Sequence, residues 1–136
     1  MNVTKKKKPE CILVVDDSTD NLYLMQFILE SQGYKVGLAD NGREALQKIS
    51  RCHPDLILLD IMMPNMNGYE VIQHLQEDEN LPFIPIYLLT ADAYVSYSDA
   101  VASGANGLIH KPIDINELLL EVQRVLDINS DLSPDN

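Results

Sequence analysis

The sequence has 136 residues, of which 46% are hydrophobic, so it can form one domain with a sizeable core and no disulfide bonds. The formal net charge is -11, and because Lys5–Lys8 supply four of the ten Lys and Arg residues, the remainder carries a net charge near -15. Such an acidic surface repels nucleic acid backbones and anionic membranes, which argues against either as a direct ligand of the folded part.

The chain begins with a basic segment, residues 1–9, that we expect to be a flexible tail. Lys5–Lys8 could contact nucleic acid or a membrane, but a short run of this kind is more often simply solvated. The first apolar run, Cys11–Val15, has five residues and is too short for a signal peptide. Cys11 and Cys52 are isolated and have no CxxC spacing, which favours a reduced, cytoplasmic setting.

Short apolar runs alternate along the chain with segments long enough for helices. Three nearly unbroken runs predict strands that are buried on both faces, and two weaker runs predict two more strands. In chain order, the predicted strands are Cys11–Val15, Lys35–Ala39, Leu56–Leu59, Ile84–Leu89 and Ala105–Ile109. The predicted helices are Asp20–Gln32, Arg43–Ser50, Tyr69–Glu77, Ala93–Ser103 and a last helix over about Ile115–Leu126, with Gly33 and Gly104 as C-terminal stops.

The last two predicted helices differ most in their apolar periodicity. The final one has a regular apolar stripe, and Asp114 and Glu117 resemble its capping box. The segment Ala93–Ser103 offers a helix little apolar surface, so we expect it to be the most mobile part, with Tyr94 or Tyr97 exposed to partners. The polar residues 129–136 predict a tail or a truncated linker, which leaves residues 10–128 as the domain.

Five strand and helix units joined by right-handed crossovers predict an α/β fold with a doubly wound parallel sheet. Sheets of this kind bind ligands beyond the carboxyl ends of their strands. Asp16 and Asp17 follow the first strand, Asp60 and Thr90 follow the third and fourth, and Lys111 follows the fifth. We therefore expect these five side chains to lie together at one edge of the sheet.

This group of side chains predicts a particular chemistry. Two carboxylates about 4 Å apart repel each other by roughly 4 kcal/mol at an effective dielectric constant of about 20, so three of them call for a divalent cation. Mg²⁺ prefers such oxygen ligands, and a carboxylate beside it can attack a phosphoryl donor while Lys111 and Thr90 stabilise the transferred oxygens. Any one of these residues is weak evidence, because residues such as Ser18 and Asp20 commonly do no more than cap a helix.

The motifs that carry these residues occur in a familiar order: Val-Val-Asp16-Asp17, Leu-Leu-Asp60-Ile-Met-Met-Pro, Leu-Leu-Thr90-Ala91 and Lys111-Pro112. Together they resemble the response-regulator receiver family of two-component signalling, including its chemotaxis regulators, from about Cys11 to Leu126. The resemblance implies the flavodoxin-like receiver fold, in which five helices surround a parallel sheet of strand order 2-1-3-4-5.

The resemblance also implies a metal-dependent phosphoacceptor. Carried over position by position, Asp60 would accept the phosphoryl group. Asp17, Asp60 and the main-chain carbonyl of Met62 would bind Mg²⁺, with Mn²⁺ as a substitute, and Asp16 would act through a coordinated water.

Two further residues would respond to the modification, again by resemblance. Thr90 would hydrogen-bond the phosphoryl group and move toward it, and Lys111 would form an ion pair with it. Ala91 and Pro112 follow these two residues and would shape the switch, and the Lys111–Pro112 peptide bond would be cis.

One position departs from the family pattern. The family often has Tyr or Phe three residues before the lysine, as a switch behind the threonine, whereas this sequence has Leu108. Leucine has no hydroxyl and less surface to hide or expose, so we expect a muted or rearranged switch. Met62 and Asp92 match positions that flank the phosphoryl group and influence its lifetime.

The resemblance implies partners as well as chemistry. The phosphoryl group would come from a histidine kinase or a phosphotransfer protein, and the face formed by the fourth helix, fifth strand and fifth helix would bind the downstream target or a second copy of the chain. We expect no separate enzyme activity, since no output domain follows Leu126. The alternative is a phosphorylation-independent binding module of the same fold: Leu108 would favour it, and the intact acids argue against it.

Overall fold

The computed structural model describes residues 9–132, with side chains described as far as residue 127. Its strands are β1 (Cys11–Val15), β2 (Lys35–Ala39), β3 (Leu56–Asp60), β4 (Ile86–Thr90) and β5 (Gly107–His110). The helices between and after them are α1 (Thr19–Glu30), α2 (Gly42–Cys52), α3 (Gly68–Gln76), α4 (Tyr97–Ala102) and α5 (Ile115–Leu132). The strands pair in parallel in the order β2-β1-β3-β4-β5, which confirms the predicted doubly wound α/β fold.

The apolar strands separate two hydrophobic clusters, because successive side chains of a strand point to opposite faces of a sheet. On one face, residues such as Leu13, Ile57 and Leu88 pack against α2, α3 and α4. On the other face, residues such as Val14 and Leu58 pack against α1 and α5. Every residue of β3 and β4 is buried, as expected for central strands covered on both sides.

Polar side chains fix where helices begin, and glycines lie where two of the helices end. Ser18 caps α1, where its side chain accepts from the Asn21 amide, and Asn67 forms a reciprocal capping box with Glu70 at the start of α3. Gly33 and Gly104 have φ angles of 94° and 107°, so they adopt the left-handed conformation expected for residues that end helices.

The fourth helix is shorter than the sequence predicts, because it begins at Tyr97 and not at Ala93. The Ser96 side chain accepts from the Asp99 amide, and the Asp99 carboxylate accepts from the Ser96 amide. This capping box starts the helix four residues later than predicted, and residues 91–96 form a loop that we call the β4–α4 loop.

The fifth helix is longer than the sequence predicts. It continues to Leu132, four residues beyond the predicted domain end at residue 128. The first part of the predicted polar tail is therefore helical, whereas residues 133–136 and the basic residues 1–8 lie outside the described part of the chain. Within residues 9–132, none of the helices combines the length and the apolar character needed to cross a lipid bilayer.

The start of the described chain and the second half of α5 meet at the edge of the sheet where β1 begins. Pro9 and Glu10 precede that strand, and Asp127 lies near the end of α5. All three residues line one depression, so the start of β1 and this part of α5 are neighbours.

A buried tyrosine connects β4 to α5. Tyr87 pairs with Gly107 across the sheet, and a Cβ atom at Gly107 would come within 2.5 Å of the tyrosine ring. The Tyr87 hydroxyl donates to Glu121 at 2.9 Å and accepts from Arg124 at 2.9 Å. The absence of a side chain at position 107 therefore makes room for a ring that fixes α5 against the sheet.

This network predicts a loss of stability at alkaline pH. Burial, followed by the hydrogen bond and charge of Glu121, raises the pKa of Tyr87 from 10.0 to about 12. The unfolded chain therefore loses the phenolic proton first, so this contribution is complete below pH 10 and is lost as the pH rises from about 10 to about 12. In urea unfolding experiments across this range, the free energy of unfolding should fall less steeply with pH for Tyr87→Phe than for the wild type. Tyr94→Phe, at a residue 94% exposed, serves as the control, and equal slopes for all three proteins would contradict the assignment.

Candidate functional site

The predicted site residues lie at the carboxyl edge of the sheet, because parallel strands end there together. Asp16 and Asp17 follow β1, and Lys111 follows β5. Asp60 and Thr90 are the last residues of β3 and β4. The structure therefore places all five residues at one edge, as the sequence predicts.

Three acids form a cluster at this edge. One carboxylate oxygen from each of Asp16, Asp17 and Asp60 lies within 4.8 Å of the others. Asp16 and Asp60 are 2% and 4% exposed, whereas Asp17 is exposed to solvent. Two of the charges are thus in a region where water screens them poorly, and the third faces the direction from which an ion or ligand would approach.

Lys111 neutralises part of this charge. Its Nζ atom lies 2.9 Å from Asp16 Oδ2 and 3.3 Å from Asp60 Oδ2. Burial on its own lowers the pKa of Lys111, but the hydrogen bonds and negative charges of Asp16 and Asp60 outweigh burial and raise it. The amine is therefore charged at neutral pH and bridges the two buried carboxylates.

Asp60 is held in an environment that opposes its ionisation. Burial raises the pKa of Asp60; the charge of Lys111 acts against this and the charge of Asp16 adds to it. One carboxylate oxygen accepts from the Met62 amide at 3.2 Å, and the other accepts from Lys111. These two donors fix the plane of the carboxylate.

The loop after Asp60 is folded tightly against the strand. The Gly68 amide donates to the Ile61 carbonyl at 2.9 Å, which closes the loop. A Cβ atom at Gly68 would lie 2.7 Å from the Asp60 carbonyl oxygen, so a larger residue would push the loop away. Met62 lies on this loop and is 66% exposed at the rim of the site.

Thr90 is fully buried at the end of β4. Its hydroxyl oxygen accepts from the Asp92 amide at 3.0 Å, and its carbonyl accepts from the Lys111 amide at 2.7 Å. The Asp92 carboxylate in turn accepts from the Tyr94 amide at 2.9 Å. The threonine is therefore connected both to the β4–α4 loop and to the lysine.

The residues assigned to the switch have different surroundings. Ala91 and Pro112 are exposed beside the site, and the Lys111–Pro112 peptide bond is cis, as expected. Leu108 is half-buried and packs against the cluster that includes α3 and α4. This position therefore holds an aliphatic side chain that packs against the core.

Two residues at this edge were missed by the sequence analysis. The Asn21 side chain donates to Asp16 Oδ2 at 3.3 Å from the first turn of α1. The His110 ring contacts the Val95 carbonyl at 2.8 Å. Asn21 lies at the start of a helix, shortly after an acid that follows a strand, and this position could have suggested the first contact. No local pattern indicates the second contact, because His110 and Val95 are far apart in sequence.

An apolar groove of about 310 Å³ adjoins the acids. Asp16 and Lys111 form its polar end, and Leu24 and Ile115 belong to its apolar wall. Three apolar side chains on α1 are exposed along the same helix, namely Tyr23 at 61%, Leu24 at 55% and Phe27 at 74%.

The donor atoms of the cluster suit a small, hard cation. Carboxylate oxygens are preferred by Mg²⁺, and the exposed Asp17 leaves an open side for water or phosphate oxygens. Cys11 and Cys52, the two cysteines, lie at the start of β1 and the end of α2, away from this edge. The chemistry of the site is therefore that of oxygen ligands, a buried carboxylate and a charged amine.

Comparison with known proteins gives consistent matches. A family model described as the response regulator receiver domain matches residues 12–123. The regulatory protein AtoC of Escherichia coli (strain K12) is 37% identical over 120 residues, covering 88% of this chain and 26% of AtoC. The polar-differentiation response regulator DivK of Brucella anthropi is 32% identical over 119 residues, covering 87% of this chain and 97% of DivK. The chain thus spans about a quarter of the length of AtoC.

A similar solved structure contains a metal ion. It is the receiver domain of the sensor histidine kinase PA1611 from Pseudomonas aeruginosa PAO1, which has a magnesium ion coordinated in its active site cleft. Its TM-score is 0.79 at 30% identity, and the match covers 88% of this chain and 99% of that one.

The acid cluster predicts a metal-dependent gain in stability. MgCl₂ at about a hundred times its dissociation constant should stabilise the wild type by about 2.7 kcal/mol, seen as a higher melting temperature. Asp17→Asn should lose most of this gain, because the neutral amide binds a hard cation less well. Asp20→Asn changes an exposed acid outside the cluster and should keep the gain. A rise that NaCl of equal ionic strength reproduces would rule out a specific site.

Proposed function

We propose, because this chain belongs to the response regulator receiver domain family, that Asp60 accepts a phosphoryl group from a histidine kinase or a phosphotransfer protein in a Mg²⁺-dependent reaction. The chain is a receiver domain of two-component systems. The observation that carries the proposal is the contact of one charged lysine with two buried carboxylates, at 2.9 Å and 3.3 Å, beside a third exposed acid.

The acids would hold the metal in distinct ways. Asp17, Asp60 and the main-chain carbonyl of Met62 would bind Mg²⁺ directly, and Asp16, which already accepts three hydrogen bonds, would bind through a water. Mn²⁺ has similar ligand preferences and could replace it. When bound, the ion would offset the negative charge shared by the acids and the incoming phosphoryl group.

The transfer step follows from the way Asp60 is held. One Asp60 oxygen attacks phosphorus, a carboxylate–phosphorus bond forms, and the bond from phosphorus to the donor imidazole nitrogen breaks. The imidazole leaves with the bonding electron pair, so no external oxidant or reductant is needed. The Met62 amide and Lys111 orient the carboxylate before the attack, which lowers the entropy cost of reaching an in-line geometry.

Thr90 and Lys111 would then respond to the product. The Thr90 hydroxyl accepts one hydrogen bond, so its own hydrogen is available to donate to a phosphoryl oxygen. Lys111 would exchange part of its contact with Asp60 for an ion pair with the phosphoryl group. Both adjustments act on the ends of β4 and β5. In the sequence, Ala91 directly follows Thr90 and Pro112 directly follows Lys111.

We expect the signal to leave through α4, β5 and α5. Tyr97 and Val101 on α4 are 63% and 46% exposed, so this face has apolar side chains available for a target or a second copy of the chain. A histidine kinase or a phosphotransfer protein as the phosphoryl donor implies a cytoplasmic setting. We expect no enzyme activity beyond the phosphorylation and dephosphorylation of Asp60.

Covalent labelling tests the proposal. With acetyl phosphate and MgCl₂, the wild type should gain the mass of one phosphoryl group, and Asp60→Asn should gain none because the amide is not a nucleophile. Asp20→Asn should label like the wild type. If the wild type gains no mass from acetyl phosphate or from any histidine kinase, the alternative of a phosphorylation-independent binding module is favoured.

We further propose that the phosphodonor protein docks on the exposed apolar face of α1. The donor must bring a phosphohistidine to Asp60, so its own surface must lie beside the acids. Leu24 lines the groove that contains Asp16 and Lys111, and Phe27 continues the same apolar face one turn later. Burial of these side chains against a protein would stabilise the complex without contacting the reacting atoms.

A pair of matched variants tests this docking surface. Phe27→Ser should slow labelling by the histidine kinase that labels the wild type fastest by at least about tenfold, which corresponds to the burial of about one apolar side chain. Labelling by acetyl phosphate should be unchanged. Phe83→Ser, at a residue 73% exposed in the loop before β4, is the control. Equal kinase rates for the two variants would exclude α1 as the docking face.

A further inference from the structure

The β4–α4 loop is connected to the site by a series of hydrogen bonds. The Thr90 hydroxyl accepts from the Asp92 amide at 3.0 Å, and the Val95 amide donates to the Asp92 carbonyl at 3.2 Å. The Tyr94 amide is held by the Asp92 carboxylate at 2.9 Å. A movement of the Thr90 side chain would therefore break the first hydrogen bond of this series, the one from the Asp92 amide.

The far end of this loop is held by a second, separate contact. The Nε2 atom of His110 lies 2.8 Å from the Val95 carbonyl oxygen. A carbonyl can only accept, so Nε2 carries the hydrogen in the folded protein. This N–H group is present in both the neutral imidazole of that tautomer and the charged imidazolium, so the contact does not require a particular charge on the ring.

The position of His110 connects both residues that would respond to the phosphoryl group. His110 ends β5, pairs with Thr90 across the sheet, and directly precedes Lys111. The Val95 side chain is half-buried against the same core cluster as Leu108. The loop is thus fixed between the core and the histidine, immediately before the capping residue Ser96 of α4.

Leu108 cannot make this connection, since its side chain has no hydrogen-bonding group. The remaining side chains of β5 are a glycine and a buried isoleucine, so His110 is the side chain of this strand that reaches the loop. We propose that His110 is a positioning residue: it holds the β4–α4 loop against the end of β5 and transmits the movement of Thr90 and Lys111 to α4. The transmission part rests on the function proposed above, whereas the holding part does not.

The holding part is tested without any phosphoryl group. In His110→Ala, the amides of Tyr94 and Val95 should exchange with water about threefold to tenfold faster by NMR, as expected for the loss of one hydrogen bond. His110→Gln offers an N–H group at a similar distance and should restore most of the protection. His74→Ala, at an exposed residue of α3, is the control. In the wild type, ring nitrogen shifts should identify the tautomer with hydrogen on Nε2.

The transmission part is tested with beryllofluoride and MgCl₂. The Thr90 and Lys111 amide signals should shift in every variant, while the Tyr97 and Val101 signals on α4 should shift in the wild type and His110→Gln. In His110→Ala, the α4 shifts should fall to less than about half. The melting temperatures should stay close together, because His110 is exposed.

The outcomes separate this inference from the proposed function. Unchanged loop exchange and unchanged α4 shifts in His110→Ala would overturn the role of His110 while leaving the phosphoacceptor intact. If Thr90 and Lys111 signals do not move even in the wild type, the proposed function fails and transmission fails with it. The exchange experiment then still decides whether His110 holds the loop.

Discussion

The arrangement of the site depends on the repulsion between acids that end neighbouring strands and on the Lys111 amine that offsets it. Asp16 and Asp60 are buried where water screens charge poorly, and Lys111 reaches both from the far side of β4. Because the two acids and the lysine belong to three different strands, the charge balance holds only while the strands keep their register. The hydrophobic clusters on both faces of the sheet therefore maintain the electrostatics of the site as well as the stability of the fold.

Much of this organisation could be predicted because it is encoded locally. Strands β1 and β2 have the predicted bounds, since their runs are flanked by clear polar or turn residues. The shared edge of the polar residues follows from parallel topology alone. Gly33 and Gly104 ended helices as expected because few other residues adopt a left-handed conformation without strain.

The features that could not be predicted depend on contacts between distant or ambiguous segments. The start of α4 was wrong because Ser96 and Asp99 form a capping box inside a stretch that has no apolar stripe. The length of α5 was underestimated because the residues after its apolar stripe are mostly polar, and yet they continue the helix to Leu132, with no glycine or proline to stop it earlier. The contacts of Asn21 with Asp16 and of His110 with Val95 join different elements, and only the folded backbone brings them within reach.

The depression that Pro9 and Glu10 share with Asp127 gives the molecule two unlike poles. The acids and Lys111 occupy one pole, and Pro9 and Asp127 lie at the other. Pro9, the first described residue, and Asp127 therefore lie away from the open side of the acid cluster, where Asp17 faces solvent.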